Sequence, residues 1–199
     1  VLLAADGTTT GHNTDTTGFE TAVATGLVGA DLTEVVMLGA GGAGAAVAAA
    51  LARLGTEHLV VVDVDVDRAT RLAAEVTAAS TAGATTGQGV RAEAADPDKL
   101  PALLPGAAGL VHCTPTGMAD HPGLPLDAQL LHRGLWVADI VYRPLETALL
   151  TAARATGCRT LDGGHMAVHQ AADAFRLITG LEPDPDRMSA HLRDLVARG

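Results

Sequence analysis

The feature that most constrains the fold of this chain is a glycine-rich turn between two apolar runs. Residues 35–38 form the first run, and Gly39, Gly41 and Gly44 follow it in a GxGxxG pattern. A stretch of small, helix-compatible residues then leads to a second apolar run at 58–63, which ends on an acid, Asp63. Strand, turn, helix, strand and terminal acid in this order are typical of a βαβ unit that binds a dinucleotide.

Each glycine has a distinct role in such a unit. The first permits the tight turn, the second lets the backbone approach a pyrophosphate, and the third lets helix and strand pack closely. The unpaired N–H groups at the start of the helix would hold the pyrophosphate. The predicted contacts are Gly39, Ala40, Gly41, Gly42 and Ala43. The alternative is a glycine-rich turn without a ligand, but the flanking strand, helix and acid favour binding.

The residues after the second run favour NAD over NADP. Asp63 lies where an acid would bind the ribose diol, Asp65 follows, and only Arg68 offers a positive charge nearby. A 2′-phosphate would meet carboxylates there, and each such repulsion at about 4 Å costs on the order of 4 kcal/mol at an effective dielectric constant of 20. We therefore predict that Asp63, Asp65 and Arg68 bind the adenosine end of NAD. Alternatively, one aspartate faces the ligand and the others begin the next helix.

Composition excludes several classes of protein. With 199 residues and 48% hydrophobic residues, the chain can bury one or two cores. No apolar run is long and uninterrupted enough to span a membrane, and a net charge of -10 argues against nucleic acid as a partner. Cys113 and Cys158 form neither a metal motif nor a disulfide framework, so we expect buried thiols in a reducing cytoplasm.

Apolar runs alternate with helix-compatible segments along the chain. Runs rich in β-branched residues without polar alternation are typical of a parallel sheet covered on both faces. We therefore predict an α/β fold: a Rossmann-like, doubly wound parallel sheet with flanking remnants of a second α/β domain. The predicted strands lie at residues 35–38, 58–63, 90–92, 110–113, 135–141 and 159–161. Loops are predicted at 83–89, at 96–106 around a short helix, and at 120–125.

The chain is predicted to divide into four parts. Residues 31–162 form the dinucleotide-binding domain, and residues 1–16, with a strand and turn at 1–9, end a substrate domain. Residues 17–30 form a linking helix. Residues 163–199 form two helices, separated near 182–185, that return toward the substrate domain.

Three further motifs place polar side chains where a substrate could bind. Asp15 lies in GHNTDTTG, on a polar loop before an apolar helix. Tyr142 follows a strand in DIVYRPLET, at the edge where α/β sheets bind ligands, and Gln170 lies early in a helix in GGHMAVHQAADAF. Taken alone, Asp15 could instead cap a helix that starts near Thr17, Tyr142 could be a core phenol, and Gln170 could bridge helices.

In this order, the motifs NTDxxG, GAGGAG, DxxYxPxxT and GGxMxxxQAxxAF resemble the shikimate dehydrogenase family, including its quinate/shikimate branch, over residues 2–181. The resemblance implies that NAD(P)H reversibly reduces 3-dehydroshikimate to shikimate, or that quinate is oxidised to 3-dehydroquinate. It implies that Asp15 is catalytic, partners a lysine and holds a ring hydroxyl. Tyr142 and Gln170 would bind the substrate, a polyol carboxylate. The implied cofactor contacts on the nicotinamide side are Thr114, Ile140 and Gly163.

The chain departs from the family at two informative positions. His112 precedes the Cys-Thr-Pro run where members usually have Asn, which affects the loop near the nicotinamide. Val64 stands where many members have an arginine that meets the 2′-phosphate, which agrees with NAD. His165 and His169 would supply only two ligands, so we predict no metal. The roles of these histidines, and of His12, stay open.

The family's amino-terminal substrate domain, which carries the catalytic lysine, is expected to lie outside these residues. Lys99 is the sole lysine and lies within the predicted cofactor domain. Because general acid help is worth about 10²- to 10⁴-fold, we expect this polypeptide alone to turn over poorly and the full-length parent to be active. The alternatives are a noncatalytic NAD-binding fragment or truncated homologue, and another two-domain Rossmann dehydrogenase such as the methylenetetrahydrofolate type. A homodimer, and the choice between shikimate and quinate, stay open.

Overall fold

The computed structural model describes residues 1–3, 6–83 and 89–198. Six strands form one sheet, and two short strands near the start form a separate antiparallel pair. The strands are β1 (Leu2–Leu3), β2 (Thr9–Thr10), β3 (Glu34–Leu38), β4 (His58–Val62), β5 (Arg91–Ala95), β6 (Gly109–His112), β7 (Trp136–Asp139) and β8 (Arg159–Leu161). The helices are α1 (Thr14–Gly26), α2 (Gly42–Leu54), α3 (Val66–Gly83), α4 (Leu100–Leu103), α5 (Ala148–Thr156), α6 (Gly163–Thr179) and α7 (Pro185–Arg198). Short 3-10 turns lie at Pro97–Lys99, Leu104–Gly106 and Ala128–Leu130.

The strand order places the glycine-rich turn at the centre of the sheet. From edge to edge the strands run β5-β4-β3-β6-β7-β8, and each neighbouring pair is parallel. The chain winds outward from β3 to β5 and then crosses back to β6, on the other side of β3. In such sheets, ligands bind at the carboxyl ends of the strands where the winding reverses. Here that reversal point lies between β3 and β6.

Helices cover both faces of the sheet, as an all-parallel sheet requires. Val35 and Met37 of β3 pack in one core with α1, α2, α3 and α6, whereas Val36 and Leu38 pack in another with α4 and α5. Because successive side chains point to opposite faces of a strand, one unbroken apolar run serves two cores. The predicted Rossmann-like, doubly wound α/β fold is confirmed.

All six predicted strands are present: the strand at 159–161 has the predicted bounds, and the other five have shifted ends. The strand predicted at 90–92 is observed at Arg91–Ala95. Its bounds are set by pairing with β4, because its sequence has no β-branched residues that would mark a strand. The strand predicted at 135–141 ends at Asp139, whose carboxylate accepts the Val141 N–H at 3.0 Å where the chain leaves the sheet. The predicted loop at 83–89 falls mostly on residues 84–88, which lie outside the described residues, and α3 reaches Gly83.

Helix α1 begins earlier than the sequence predicts. The side-chain oxygen of Asn13 accepts the N–H groups of Asp15 at 3.1 Å and Thr16 at 3.3 Å, so the helix starts at Thr14 rather than near Thr17. Asn13 is therefore the N-cap, and the alternative in which Asp15 only caps the helix is wrong.

Helix α1 packs against the sheet and against α6. Phe19 and Ala22 are buried in the same core as β3. At Gly18 the two helices are in close contact, because a Cβ added there would lie 2.7 Å from the backbone nitrogen of Gln170. The two predicted terminal helices are present as α6 and α7. The division into parts at 1–16, 17–30, 31–162 and 163–199 stays a prediction.

Candidate functional site

The glycine-rich turn joins β3 to α2 at the carboxyl edge of the sheet. Gly39 has a φ of +99°, a left-handed conformation that glycine adopts without strain. A Cβ on Gly44 would lie 2.1 Å from the carbonyl oxygen of Gly39, so a larger residue would not fit there. Around Gly41 and Gly42 the added Cβ atoms would meet no other described atom within 4 Å. The turn is thus tight where it packs and open where a pyrophosphate would approach.

Asp63 directly follows β4 and holds the turn. Its Oδ2 accepts the N–H of Ala40 at 2.7 Å, and its Oδ1 accepts the N–H of Asp65 at 2.8 Å. The Ala40 N–H is therefore engaged by Asp63, which leaves a pyrophosphate to the N–H groups later in the turn. Each carboxylate oxygen has two lone pairs, so Asp63 can still accept hydrogen bonds from ribose hydroxyls.

The positive charge that follows Asp63 is paired. Arg68 donates through its guanidinium to Oδ2 of Asp65 at 3.2 Å, and through its backbone N–H to Oδ1 at 3.0 Å. The backbone hydrogen bond from Arg68 is the main reason that the pKa of Asp65 lies below its usual value. These bonds place Asp65 at the start of α3, in agreement with the alternative in which one aspartate faces the ligand and the others begin the helix. Binding of the adenosine end by Asp65 stays a prediction. Val64 beside them is 85% exposed.

The residues predicted on the nicotinamide side lie across the reversal point. Thr114, two residues beyond β6, is close to the turn: a Cβ on Gly39 would lie 3.0 Å from its Cγ2. Ile140 follows β7, and a Cβ on Gly163, the first residue of α6, would lie 2.4 Å from the carbonyl oxygen of Ile140. The turn, these loops and the start of α6 therefore share the carboxyl edge of the sheet.

A buried hydrogen-bond network that the sequence did not predict lies beneath Thr114. His112 is 0% exposed, with Nδ1 3.0 Å from Oδ1 of Asp139 and Nε2 2.6 Å from Oγ1 of Thr114. Thr147 donates to Oδ2 of Asp139 at 2.7 Å. The available signal was the histidine at an unusual position, together with the aspartate and threonine of the DxxYxPxxT motif. Burial raises the pKa of the neighbouring Cys113 thiol, which makes it unreactive.

Asp15 and Gln170 lie on adjoining turns of α1 and α6. Oγ1 of Thr14 lies 3.4 Å from Oε1 of Gln170, which is a weak hydrogen bond between the two helices. This contact agrees with the alternative in which Gln170 bridges helices. Asp15 is half-buried, and within the described ranges no residue donates a hydrogen bond to its carboxylate. Tyr142 is 53% exposed, so the alternative of a core phenol is wrong. Among the residues that the structure describes, none forms a hydrogen bond with its phenol, which lies at the edge of the sheet.

The two histidines of α6 belong to the helix and its packing. Nδ1 of His165 lies 3.2 Å from Oδ1 of Asp162, and this hydrogen bond raises the pKa of His165. Burial acts to raise the pKa of Asp162, but the hydrogen bond and charge of His165 and the N–H of Gly164 outweigh it and lower the value. Burial lowers the pKa of His169. No three His, Cys, Asp or Glu side chains among the described residues are arranged to hold a metal ion.

A hollow of about 360 Å³ lies near the start of α1. Its lining is Gly11, His12, Asn13, Thr14, Thr17, Arg53, Asp173, Arg176 and Leu177. His12 therefore faces this hollow, and the residues assigned to substrate and cofactor do not line it. Thr14, which approaches Gln170, is among the lining residues, so the hollow adjoins the predicted substrate residues without including them.

Known proteins share both the sequence and the fold. Shikimate dehydrogenase (NADP(+)) of Streptomyces avermitilis is 60% identical over 195 residues, which cover 98% of this chain and 65% of the relative. Quinate/shikimate dehydrogenase (NAD(+)) of Corynebacterium efficiens is 48% identical over 190 residues, 96% of this chain and 64% of the relative. The structure of quinate dehydrogenase from Corynebacterium glutamicum in complex with NAD matches with a TM-score of 0.87 and 46% identity, covering 95% of this chain and 64% of that one. The chain belongs to the shikimate/quinate dehydrogenase family.

Membership of the shikimate/quinate dehydrogenase family confirms the resemblance found in the motifs. The chain spans 65% of the length of the Streptomyces relative. The relatives are divided by cofactor, because one is named for NADP(+) and the other for NAD(+). No protein-family model matches the chain. In the described part of the chain, no helix is long and apolar enough to cross a membrane.

Proposed function

We propose that the protein catalyses reversible hydride transfer between a nicotinamide dinucleotide and a cyclic polyol carboxylate, with shikimate, quinate or both as substrate. The cofactor supplies or accepts the hydride. The observation that carries the proposal is the continuity of the carboxyl edge from the glycine-rich turn to α6. A dinucleotide that crosses the reversal point with its adenosine end at Asp63 would bring its nicotinamide toward Thr114 and Ile140. Helix α6 begins there and carries Gln170 to α1 and Asp15.

The substrate residues match the chemistry of a polyol. Asp15 carries an ionisable acceptor without a described donor, and Gln170 offers both donors and acceptors. Tyr142 offers a hydroxyl at the same edge of the sheet. A ring hydroxyl left without a partner in such a site costs about 1–3 kcal/mol, so paired groups of this kind select polyols. In this proposal Asp15 holds a ring hydroxyl and partners a lysine.

Lys99 does not fill the role of that lysine. It is exposed on the 3-10 turn after β5. Four strand spacings separate β5 from β7, which is about 19 Å across the sheet. Loss of general acid help lowers rates by about 10²- to 10⁴-fold, so we expect these 199 residues alone to turn over poorly. The complete protein, with a lysine beside Asp15, should be active.

NAD is the proposed cofactor in preference to NADP. Three observations support it: Asp63 faces the turn, Arg68 is already paired with Asp65, and an exposed Val64 offers no charge to a 2′-phosphate. A phosphate charge about 4 Å from Asp63 would be repelled by on the order of 4 kcal/mol before screening. We expect screening to leave at least about a tenfold preference for NAD, which is about 1.4 kcal/mol.

Initial rates of the complete protein test the proposal, measured with shikimate and quinate, each with NAD and with NADP. Replacing Asp15 by Asn should lower kcat by about 10²-fold or more. Asp194→Asn, on the exposed face of α7, serves as the matched control and should leave the rate unchanged.

Three outcomes would contradict parts of the proposal. A near-full rate in Asp15→Asn would remove its assigned role. A preference for NADP would overturn the charge argument at Asp63. Tight NADH binding without turnover of either substrate would favour the noncatalytic alternative instead.

A further inference from the structure

The buried network beneath Thr114 determines which hydrogen bonds its hydroxyl can make. His112 ends β6 with its ring fully buried between two partners, Asp139 at 3.0 Å and Thr114 at 2.6 Å. The two partners lie on different parts of the chain. Asp139 is the last residue of β7, and Thr114 lies in the loop that follows β6. The network therefore connects the core of the sheet to the edge where the cofactor is proposed to bind.

The partners of Asp139 assign the proton of His112. Oδ2 of the carboxylate accepts the hydroxyl hydrogen of Thr147 at 2.7 Å, and Oδ1 accepts the N–H of Val141 at 3.0 Å. Because an ionised carboxylate only accepts, Nδ1 of His112 must donate to it. The carboxylate of Asp139 has three hydrogen-bond partners, His112, Thr147 and Val141, and Thr147 and Val141 are neutral donors, so we assign His112 a neutral ring as the third. In the neutral ring, Nε2 has no hydrogen and accepts from the Thr114 hydroxyl.

The Thr114 hydroxyl is then left without a free hydrogen. Its single hydrogen is donated to His112, and one of its two lone pairs accepts the N–H of Thr116 at 3.3 Å. One lone pair stays available. Thr114 is half-buried, and its methyl group lies against Gly39 at the reversal point of the sheet. Any ligand that approaches this hydroxyl must therefore donate.

We infer that Asp139 and His112 hold Thr114 as an obligatory hydrogen-bond acceptor for the carboxamide N–H of a nicotinamide cofactor. His112 is then a positioning residue, and Thr114 determines cofactor specificity at the nicotinamide end. This inference rests on the proposed function, which places the nicotinamide on the β6 side of the sheet.

Calorimetric titration with two cofactors tests the inference. NADH carries the carboxamide, whereas reduced 3-acetylpyridine adenine dinucleotide carries an acetyl group and has no N–H to donate. Thr114→Val should weaken NADH binding by about three- to tenfold, the worth of one hydrogen bond, while binding of the acetyl analogue changes little. Thr114→Ser should retain the preference of the original protein for NADH. Thr156→Val, on the exposed last turn of α5, should change neither affinity.

Two measurements address His112 itself. In His112→Asn the preference for NADH over the acetyl analogue should fall by about threefold or more, because Thr114 regains a free hydrogen. Nitrogen NMR of the unaltered protein at neutral pH should show His112 protonated at Nδ1 and unprotonated at Nε2, which needs no substitution in the core.

The outcomes separate this inference from the proposed function. If NADH binds but Thr114→Val leaves the preference between the two cofactors unchanged, the inference is overturned and the proposed function stands. Protonation of both ring nitrogens of His112 would also overturn it. If the folded protein binds no NADH, the proposed cofactor site is wrong, and the inference fails with it.

Discussion

The close contact between α1 and α6 makes Gly18 a sensitive test of how the proposed substrate residues, Asp15 and Gln170, are positioned. In Gly18→Ala the new Cβ would lie 2.7 Å from both the backbone nitrogen and the Cβ of Gln170, and 2.9 Å from its Cα. Carbon atoms in contact lie about 3.5–4.0 Å apart, so the two helices must separate by about 1 Å. Since the opposing atoms belong to the backbone of α6 or lie next to it, rotation of a side chain cannot relieve the overlap.

The cost follows from two opposing effects. Overpacking of a tight contact costs about 1–3 kcal/mol, whereas alanine in place of glycine within a helix gains about 0.5–1 kcal/mol. We expect a net loss of about 1 kcal/mol in the free energy of unfolding, or about 2–4 °C in melting temperature for a chain of this size. Because the separation also moves Asp15 relative to Gln170, we expect weaker binding of shikimate.

Gly26→Ala on the same helix is the matched control. Its new Cβ would meet Cδ1 of Leu161 at 2.5 Å, the far end of a side chain that can rotate away. Thermal unfolding and calorimetric titration with shikimate would be measured on both variants. Gly26→Ala should stay within about 0.5 kcal/mol of the original protein. A Gly18→Ala variant that melts at or above the original temperature and binds shikimate equally well would refute the reasoning.

Two further predictions concern the helix termini. Asn13→Ala removes the acceptor of two N–H groups at the start of α1, so the free energy of unfolding should fall by about 1 kcal/mol. Asn13→Ser should retain most of the original stability. Equal stability of all three proteins in urea would contradict the role of Asn13 as the N-cap. The hydrogen bond with Asp162 raises the pKa of His165, so its stabilisation is full below the ordinary value of 6.5 and is lost as the pH rises through the folded-state pKa. The lowered pKa of Asp162 keeps that carboxylate ionised at about pH 5. His165→Gln should therefore lower the free energy of unfolding by about 0.5 kcal/mol at about pH 5 and by less at about pH 9. A loss of stability that does not change with pH would contradict the interaction between His165 and Asp162.

The central fold could be predicted because its signals are local. The strand before Gly39, the helix after it and the strand that ends before Asp63 lie within one short segment, and each glycine marks a specific steric demand. Strand β5 is predicted at 90–92 but spans Arg91–Ala95, so the prediction begins one residue early and ends three residues short. Its sequence, RAEAA, lacks the β-branched residues that mark a strand, and its length is set by pairing with β4.

Two kinds of feature in the site could not be predicted. Some depend on contacts between residues far apart in the sequence, and others on which of two suitable neighbouring residues takes a role. Asn13 and Asp15 are both good N-cap residues, and only the observed hydrogen bonds decide between them. The partners of His112 include Asp139, which is 27 positions away, and no periodicity along the chain relates the two. The sequence identified His112 as unusual, but its role required the neighbouring strand.

Asp63 supports the glycine-rich turn in addition to its proposed contact with a ribose. Removing its carboxylate would leave the N–H of Ala40 without its acceptor, so the affinity for NADH should fall, whereas NADPH should lose less because the repulsion of its 2′-phosphate is removed as well. Val64 is 85% exposed, so a cation introduced there would alter the charge met by a 2′-phosphate while the turn keeps its shape. If the proposed cofactor site is correct, the residue that supports the turn is therefore separate from the exposed position at which the preference between NAD and NADP could be changed.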